Sequence, residues 1–293
     1  MTPADLQACH ARAAVVSSRL RLPLRARVWR GQAGEFAGAG VGSSLDFQDH
    51  RAYSPGDDPR HINWQAYART GSYTMKLYRE EVRPVIDICL DVSASMFFEP
   101  AKAARTAELL YFLTDSANRA GASAKVHLIR GSASYLLEAD AVASHRWFEQ
   151  IDKLPAETAA AAPALDRVPV RSRSIRVLIS DLLFAGDPSP LIRDLARSQG
   201  SAVIFAPFLL SEAAPDWQGN YEFVDAERAS HHPHRIEPAV LRRYRDAYTN
   251  HFGFWKATAR RYQASLARVP CEGPLEPALS LESLTAGALE IAN

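Results

Sequence analysis

The chain has little cysteine and no apolar run long enough to leave water. Its three cysteines, Cys9, Cys89 and Cys271, are odd in number, scattered and without CxxC spacing. That excludes a disulfide framework and a zinc knuckle and makes a reducing compartment the default. No stretch approaches the roughly eighteen uncharged apolar residues of a membrane span. The start, MTPADLQACHARAAVV, has no basic segment followed by a long apolar core. The expectation is a cytoplasmic protein without a span of its own. An excess of one charge is also missing: 34 Lys and Arg face 33 Asp and Glu, a net charge of +1. This argues against duplex DNA or another polyanion as a whole-surface partner and leaves only a local basic face. GxxxxGK(S/T) and GxSxG are absent, so any ATP dependence has to come from a partner, and serine-hydrolase chemistry has no signature.

What is present is an ordinary globular composition, 47% hydrophobic and 23% charged over 293 residues, enough for a substantial core. Residues 1–18 have helical spacing (Leu6, Ala11, Ala14, Val15). In LRLPLRARVWR the period changes to two, with Arg19, Arg21, Arg25 and Arg27 on one face. This reads as a charged strand edge, or as a groove for an anion or nucleic acid. Residues 31–72 are rich in Gly, Asp, Arg and Pro and read as irregular, with Phe47, Tyr53, Ile62, Trp64 and Tyr67 arguing against disorder.

From residue 74 two strands, TMKLYREE and PVIDICL, precede a helix that starts near Pro100 and is capped near Gly121. Its apolar residues spread nearly all round, so it should be largely buried. A hairpin around Gly131-Ser132, a helix over 144–153, a buried strand SIRVLISDLL, a helix LIRDLARSQG and a buried strand SAVIFAPFLL follow. YEFVDAE suits an edge strand, and 237–267 reads as helical with a break near Gly253. Strands alternating with helices define an α/β fold with a mainly parallel sheet flanked by helices, after an irregular or β N-terminal block. The expected divisions are 1–80, 81–275 and a tail, 276–293.

In such sheets ligands bind beyond the carboxyl ends of the strands, where Asp91 and Asp181 both fall. On extended backbone Asp91, Ser93 and Ser95 share one side. A hard cation wants carboxylates plus neutral oxygens, and Asp91, Ser93, Ser95, Asp181 and Thr158 can supply them. Two ionised carboxylates about 4 Å apart repel by roughly 4 kcal/mol at an effective dielectric near 20, a conflict a divalent ion removes. The same residues also suit a helix cap or a closed turn.

DVSASM, the Thr158 loop and LISD resemble the three pieces of the metal-ion-dependent adhesion site of von Willebrand factor A domains. DFQDHRAYSPGDDPRHINWQAYARTGSYTMKLYREE followed by DVSASM is similar to the bacterial domain-of-unknown-function family fifty-eight. There a Tyr-x-Pro-Gly-Asp-Asp-x-Arg-x-Ile-x-Trp block precedes an A-type, Rossmann-like domain. The resemblance implies Asp91, Ser93, Ser95, Thr158 and Asp181 as metal ligands, for Mg²⁺ first and otherwise Mn²⁺ or Ca²⁺. Its Thr158 loop lacks the glycine that often precedes this threonine. It also implies a non-enzymatic adaptor working with a MoxR-type AAA+ ATPase, or with another protein whose acidic residue completes the metal shell.

Three further readings stand beside this one. Asp91 at a strand end is similar to the nucleophile of HAD-type phosphotransferases, whose DxDx(T/V) motif carries a second, proton-donating Asp where this chain has Ser93. His231, His232 and His234 form either a transition-metal site or a polar loop. In the Pro-Gly-Asp-Asp block, Asp57, Asp58 and Arg60 either form an internal ion-pair network over a buried Trp64 or, with Arg51, Tyr53 and Trp64, offer a partner-docking surface.

Overall fold

The structure, a computed structural model, describes residues 1–24, 33–41, 47–156, 161–226 and 230–292. In chain order these form α1 (Pro3–Val16), β1 (Leu20–Arg21), β2 (Ala33–Val41), β3 (Phe47–Ala52), α2 (Trp64–Thr70), β4 (Thr74–Val82) and β5 (Val85–Asp91). Then follow α3 (Ser95–Phe98), α4 (Pro100–Arg119), β6 (Ser123–Arg130), β7 (Ala133–Leu136), β8 (Ile175–Ile179), α5 (Ser189–Ala196) and β9 (Ser201–Phe208). The last are α6 (Leu210–Ala213), β10 (Gly219–Val224), β11 (His231–Ile236), α7 (Pro238–Arg261), β12 (Ser265–Pro270), α8 (Leu275–Ser283) and β13 (Glu290–Ile291). Among the described residues no helix is long and apolar enough to cross a membrane.

The chain divides into two compact units: Met1–Pro23 with Val85–Arg119 and Ala124–Asn293, and Leu24–Pro84 with Ala120–Ser123. The first is a mixed α/β unit around a six-stranded sheet of order β12-β9-β8-β5-β6-β7. β12, β9, β8 and β5 run parallel, and β7 returns antiparallel on β6. β5, β8 and β9 read as near-continuous Val, Ile, Leu and Ala because both faces are covered. As its all-round apolar pattern requires, α4 is buried along most of its length, including Ala107, Leu109, Leu110, Phe112 and Leu113. Thr2 starts α1 through a capping box with Asp5, and α1 packs on α4.

Several expectations are corrected here. Within the Arg-alternating stretch, the described residues form one short strand, Leu20–Arg21, paired with Ile291 and Glu290 of β13. Arg19 and Arg21 are neutralised by Glu276 and Glu290, each at 2.8 Å. Arg25 and Arg27 lie outside the described residues. The segment 276–293 is built into the unit as most of α8, with Ala278 and Leu279 buried, and as β13. The helix expected over 144–153 is a single 3-10 turn, Glu149–Lys153. His145 has a left-handed φ of 59°, and the Trp147 indole turns inward to donate to the Tyr111 hydroxyl at 3.0 Å. α7 runs unbroken through the exposed Gly253. Glycine there costs about 1 kcal/mol, which burial of Tyr248, Phe252, Trp255 and Ala259 offsets.

HHPHR is not a loop but β11, antiparallel to β10. Pro233 is tolerated because a two-stranded ribbon leaves room for a missing donor.

The second unit holds a three-stranded antiparallel sheet, β2-β4-β3, and α2. The stretch 31–72 is therefore not irregular throughout. AGEFAGAGV lacks β-branched residues until its last position, and register shifts interrupt both pairings, which blurs the alternation that marks a strand. α2 is capped by the Asn63 side chain, which accepts from the Ala66 amide at 3.1 Å, and ends on Gly71 at φ 67°.

Candidate functional site at the carboxyl edge of the sheet

β5 is followed in the chain by β6 on one side of the sheet, whereas β8 pairs with its other side. The crevice between the carboxyl ends of β5 and β8 is therefore a topological switch point, where open α/β sheets bind ligands. Leu90 pairs with Ile179, so Asp91 and the Ser180-Asp181 pair leave their strands side by side.

The loop after β5 folds tightly around Asp91. Its Oδ1 accepts the Ser93 amide at 3.0 Å and its Oδ2 accepts the Ser180 hydroxyl at 2.7 Å. Ser93 and Ser95 bring their hydroxyl oxygens to 3.2 Å from each other. Continued extension is not the cause, because Ala94 is already helical and Ser95 opens α3. The chain turns, and the turn gathers the hydroxyls.

Asp181 is placed from the other side. Its amide donates to the Met96 sulfur at 3.2 Å, and its Oδ1 accepts the Leu183 amide at 3.1 Å. Leu182 between them is buried and left-handed, at φ 60°, a conformation that costs a branched residue about 1–2 kcal/mol. His251 fixes it with a 2.8 Å hydrogen bond at the Leu182 carbonyl.

Two participants escaped the sequence reading. The Lys102 ammonium, from the first turn of α4 and 2% exposed, lies 3.1 Å from Asp181 Oδ2 and 2.5 Å from Glu212 Oε1. Glu212 belongs to α6, just beyond β9, and its other oxygen accepts the Leu209 amide at 2.9 Å. Asp91, Asp181 and Glu212 thus follow three successive parallel strands, with one lysine among them. A signal existed: Lys102 is a cation in a helix whose pattern is otherwise that of a buried one, and Glu212 follows an apolar strand directly.

The electrostatics are uneven. Burial first, and then the charge of Asp181, push the Asp91 carboxyl up to about 7 against the pull of its hydrogen bonds to Ser180 and Ser93. Burial works to discharge Lys102, yet Asp181 and Glu212 outweigh it and hold its pKa above the usual lysine value. Fully ionised, the group carries three carboxylates and one ammonium. The donor set near Asp91 is all oxygen and suits a hard cation. Among the described residues no three His, Cys, Asp or Glu side chains gather to hold a metal ion, so an ion here relies on Ser93, Ser95 and water as well. Thr158 lies outside the described residues.

The sequence-derived residues of the Pro-Gly-Asp-Asp block lie in the second unit, and the histidines in the first. Arg51 clamps Asp57 with bonds of 2.7 and 2.6 Å, and Asp57 also accepts the Ser54 amide. Asp58 accepts the Arg60 amide and guanidinium at 2.7–3.1 Å, which brings its carboxyl down to about 2. Both pairs close within the segment. Trp64 is 58% exposed rather than buried. It stands edge-on to Tyr67 and Tyr73, which stack at 4.5 Å, and Tyr53 lies 6.1 Å from Tyr73. Of the histidines, His232 and His234 share one face of β11 and His231 the other, 3.2 Å from Glu222.

This is an α/β protein whose chemistry collects at the switch point of a mainly parallel sheet. The family model described as protein of unknown function DUF58 matches residues 49–252, and the chain belongs to that family. No curated protein matches it. Among solved structures it is similar to an aerotolerance-related membrane protein from Bacteroides fragilis NCTC 9343 with multiple mutations to serines. The identity is 15% over 61% of this chain and 98% of that one, with a TM-score of 0.31. It is also similar to the conserved hypothetical protein BatB from Bacteroides thetaiotaomicron, at 13% identity over 69% of this chain and 98% of that one, with a TM-score of 0.38. Both likenesses are too loose to carry a statement about function.

Proposed function

We propose that this protein is a non-enzymatic, von Willebrand factor A-like interaction module whose divalent cation, Mg²⁺ in the first instance, is offered to an acidic side chain of a protein partner. Asp91, Ser93, Ser95 and Asp181 hold the ion, and the partner's carboxylate completes its shell. A MoxR-type AAA+ ATPase is the expected partner, with the exposed aromatic group at Trp64 and Tyr73 as a second docking surface.

One observation carries this reading. Among the described residues, three carboxylates at the ends of adjacent parallel strands are served by a single ammonium, which sits on Asp181 and Glu212 and leaves Asp91 with hydroxyl and amide donors. A buried anion beside a second anion is costly, and a divalent ion removes that cost.

The test is calorimetric titration of Mg²⁺ and Mn²⁺ into chelator-stripped protein, wild type beside Asp91→Ala, followed by capture of a MoxR-type ATPase in Mg²⁺ and in chelator. Saturable binding lost in the variant, with capture only in Mg²⁺, is the expected result. Wild-type protein that takes up neither ion would return DVSASM to the role of a capped turn.

A further inference from the structure

We propose that Lys102 is the built-in rival of the divalent ion: its ammonium occupies the Asp181 side of the site when metal is absent and is driven off Asp181 when metal binds. This rests on the metal reading above and concerns how that site is regulated.

The geometry sets the contest. A divalent ion that uses Asp181 as its second carboxylate must share its oxygens with donors already in place. Oδ1 already accepts the Leu183 amide at 3.1 Å, and Oδ2 accepts from Lys102 at 3.1 Å. Peptide N–H donors do not move, whereas a lysine is a point charge on a flexible four-carbon stem. The residues just before it, Glu99, Pro100 and Ala101, are exposed, so a displaced ammonium has a short path to water. If the ammonium stayed, two cations would share Asp181 in a place where neither Lys102 nor Asp181 is more than 4% exposed, and their repulsion would go largely unscreened.

The exchange relieves part of the repulsion when metal is absent, on the Asp181 side and not at Asp91. Lys102 neutralises Asp181 and ties it to Glu212, whose second oxygen holds the Leu209 amide at the start of α6. The Tyr244 hydroxyl of α7 donates to the Glu212 carbonyl at 2.9 Å. An ammonium that swings out to water leaves Glu212 as well as Asp181, so that occupancy is reported at a neighbouring strand end. The contest also selects by charge. A monovalent ion brings no more charge than the ammonium it would displace and gains nothing by doing so, whereas a divalent ion brings twice as much. An equilibrium shifts only by a ligand's differential interaction with the two states.

The test reads Lys102 itself. Wild-type protein is acylated with acetic anhydride in chelator, in K⁺ and in saturating Mn²⁺, and labelling at Lys102 is followed by peptide mass spectrometry. In parallel, Mn²⁺ affinity of wild type and Lys102→Met is measured by electron paramagnetic resonance. Expected are slow labelling in chelator and K⁺, labelling about tenfold faster in Mn²⁺, and affinity about tenfold tighter in the variant, one decade of equilibrium constant. Labelling that stays slow in saturating Mn²⁺, or a variant that binds no tighter than wild type, overturns the rivalry and leaves the metal reading standing. Failure of both proteins to bind Mn²⁺ overturns both. Because the labelling uses wild-type protein, the outcome does not depend on the variant folding.

Discussion

Gly200 and Arg176 are fitted to each other. A Cβ on Gly200 would stand 2.6 Å from Arg176 Cζ and 2.8 Å from its Nε. Arg176 is fully buried. Its Nη1 donates to the carbonyls of Asp194 and Leu195 at 3.2 and 3.0 Å, and its Nη2 to that of Arg171 at 3.0 Å. The arginine thereby satisfies carbonyls left over at the end of α5 and fastens that helix to β8, the strand that presents Asp181. Gly200→Ala is expected to lower stability by about 1–3 kcal/mol, as overpacking does. An unchanged denaturation midpoint would contradict the fit.

Asp91 gives metal-stripped protein an unusual pH profile. Folding lifts its carboxyl from an ordinary 3.8 to about 7, burial being the main cause. Across that interval the native protein keeps a proton that the unfolded chain has released. Stability from this group therefore falls as pH rises from about 4 to about 7 and is flat above, by up to about 4 kcal/mol. Asp91→Asn in chelator should abolish that fall, as read from urea midpoints against pH. A variant profile parallel to wild type would remove Asp91 as its source.

His127 acts at the acid side with the opposite sign. It is 1% exposed on β6, and neither ring nitrogen has a hydrogen-bond partner among the described residues. Burial lowers its pKa against the pull of Asp87. The unfolded chain takes up this proton first, so stability is lost as pH falls below the ordinary 6.5 and levels off at the lowered native value. His127→Leu should shift acid unfolding to lower pH, and an unchanged acid midpoint would count against it.

Trp64 separates docking from folding. With 58% of its surface exposed, Trp64→Ala should change stability by no more than about 0.5 kcal/mol while reducing capture of the proposed ATPase partner in Mg²⁺. Undiminished capture by a folded variant would remove the aromatic group from the docking surface.

The sheet was legible because strands buried on both faces, such as Ile175–Ile179 and Ser201–Phe208, are continuous apolar runs. The positions of Asp91 and Asp181 follow from that pattern. Lys102 and Glu212 were not legible as a pair, because they lie 110 residues apart and only the strand order brings them together. Ser93 and Ser95 meet through a helical turn at Ala94 that alternation does not foresee. The small strands were missed where glycine, alanine and register shifts hide the period, as in Ala33–Val41. Trp64 could be read as buried or as part of a docking surface, and sequence could not decide because an aromatic suits both; α2 buries none of its residues.

The central claim is that a divalent cation is held by Asp91, Ser93, Ser95 and Asp181. Crystals of the wild-type protein soaked in Mn²⁺, with data collected at the manganese edge, test it most directly. The account predicts one anomalous peak held by the Asp91 and Asp181 carboxylates and the two serine hydroxyls, absent in Asp91→Asn. A soaked crystal with no peak at the carboxyl ends of β5 and β8 would contradict it.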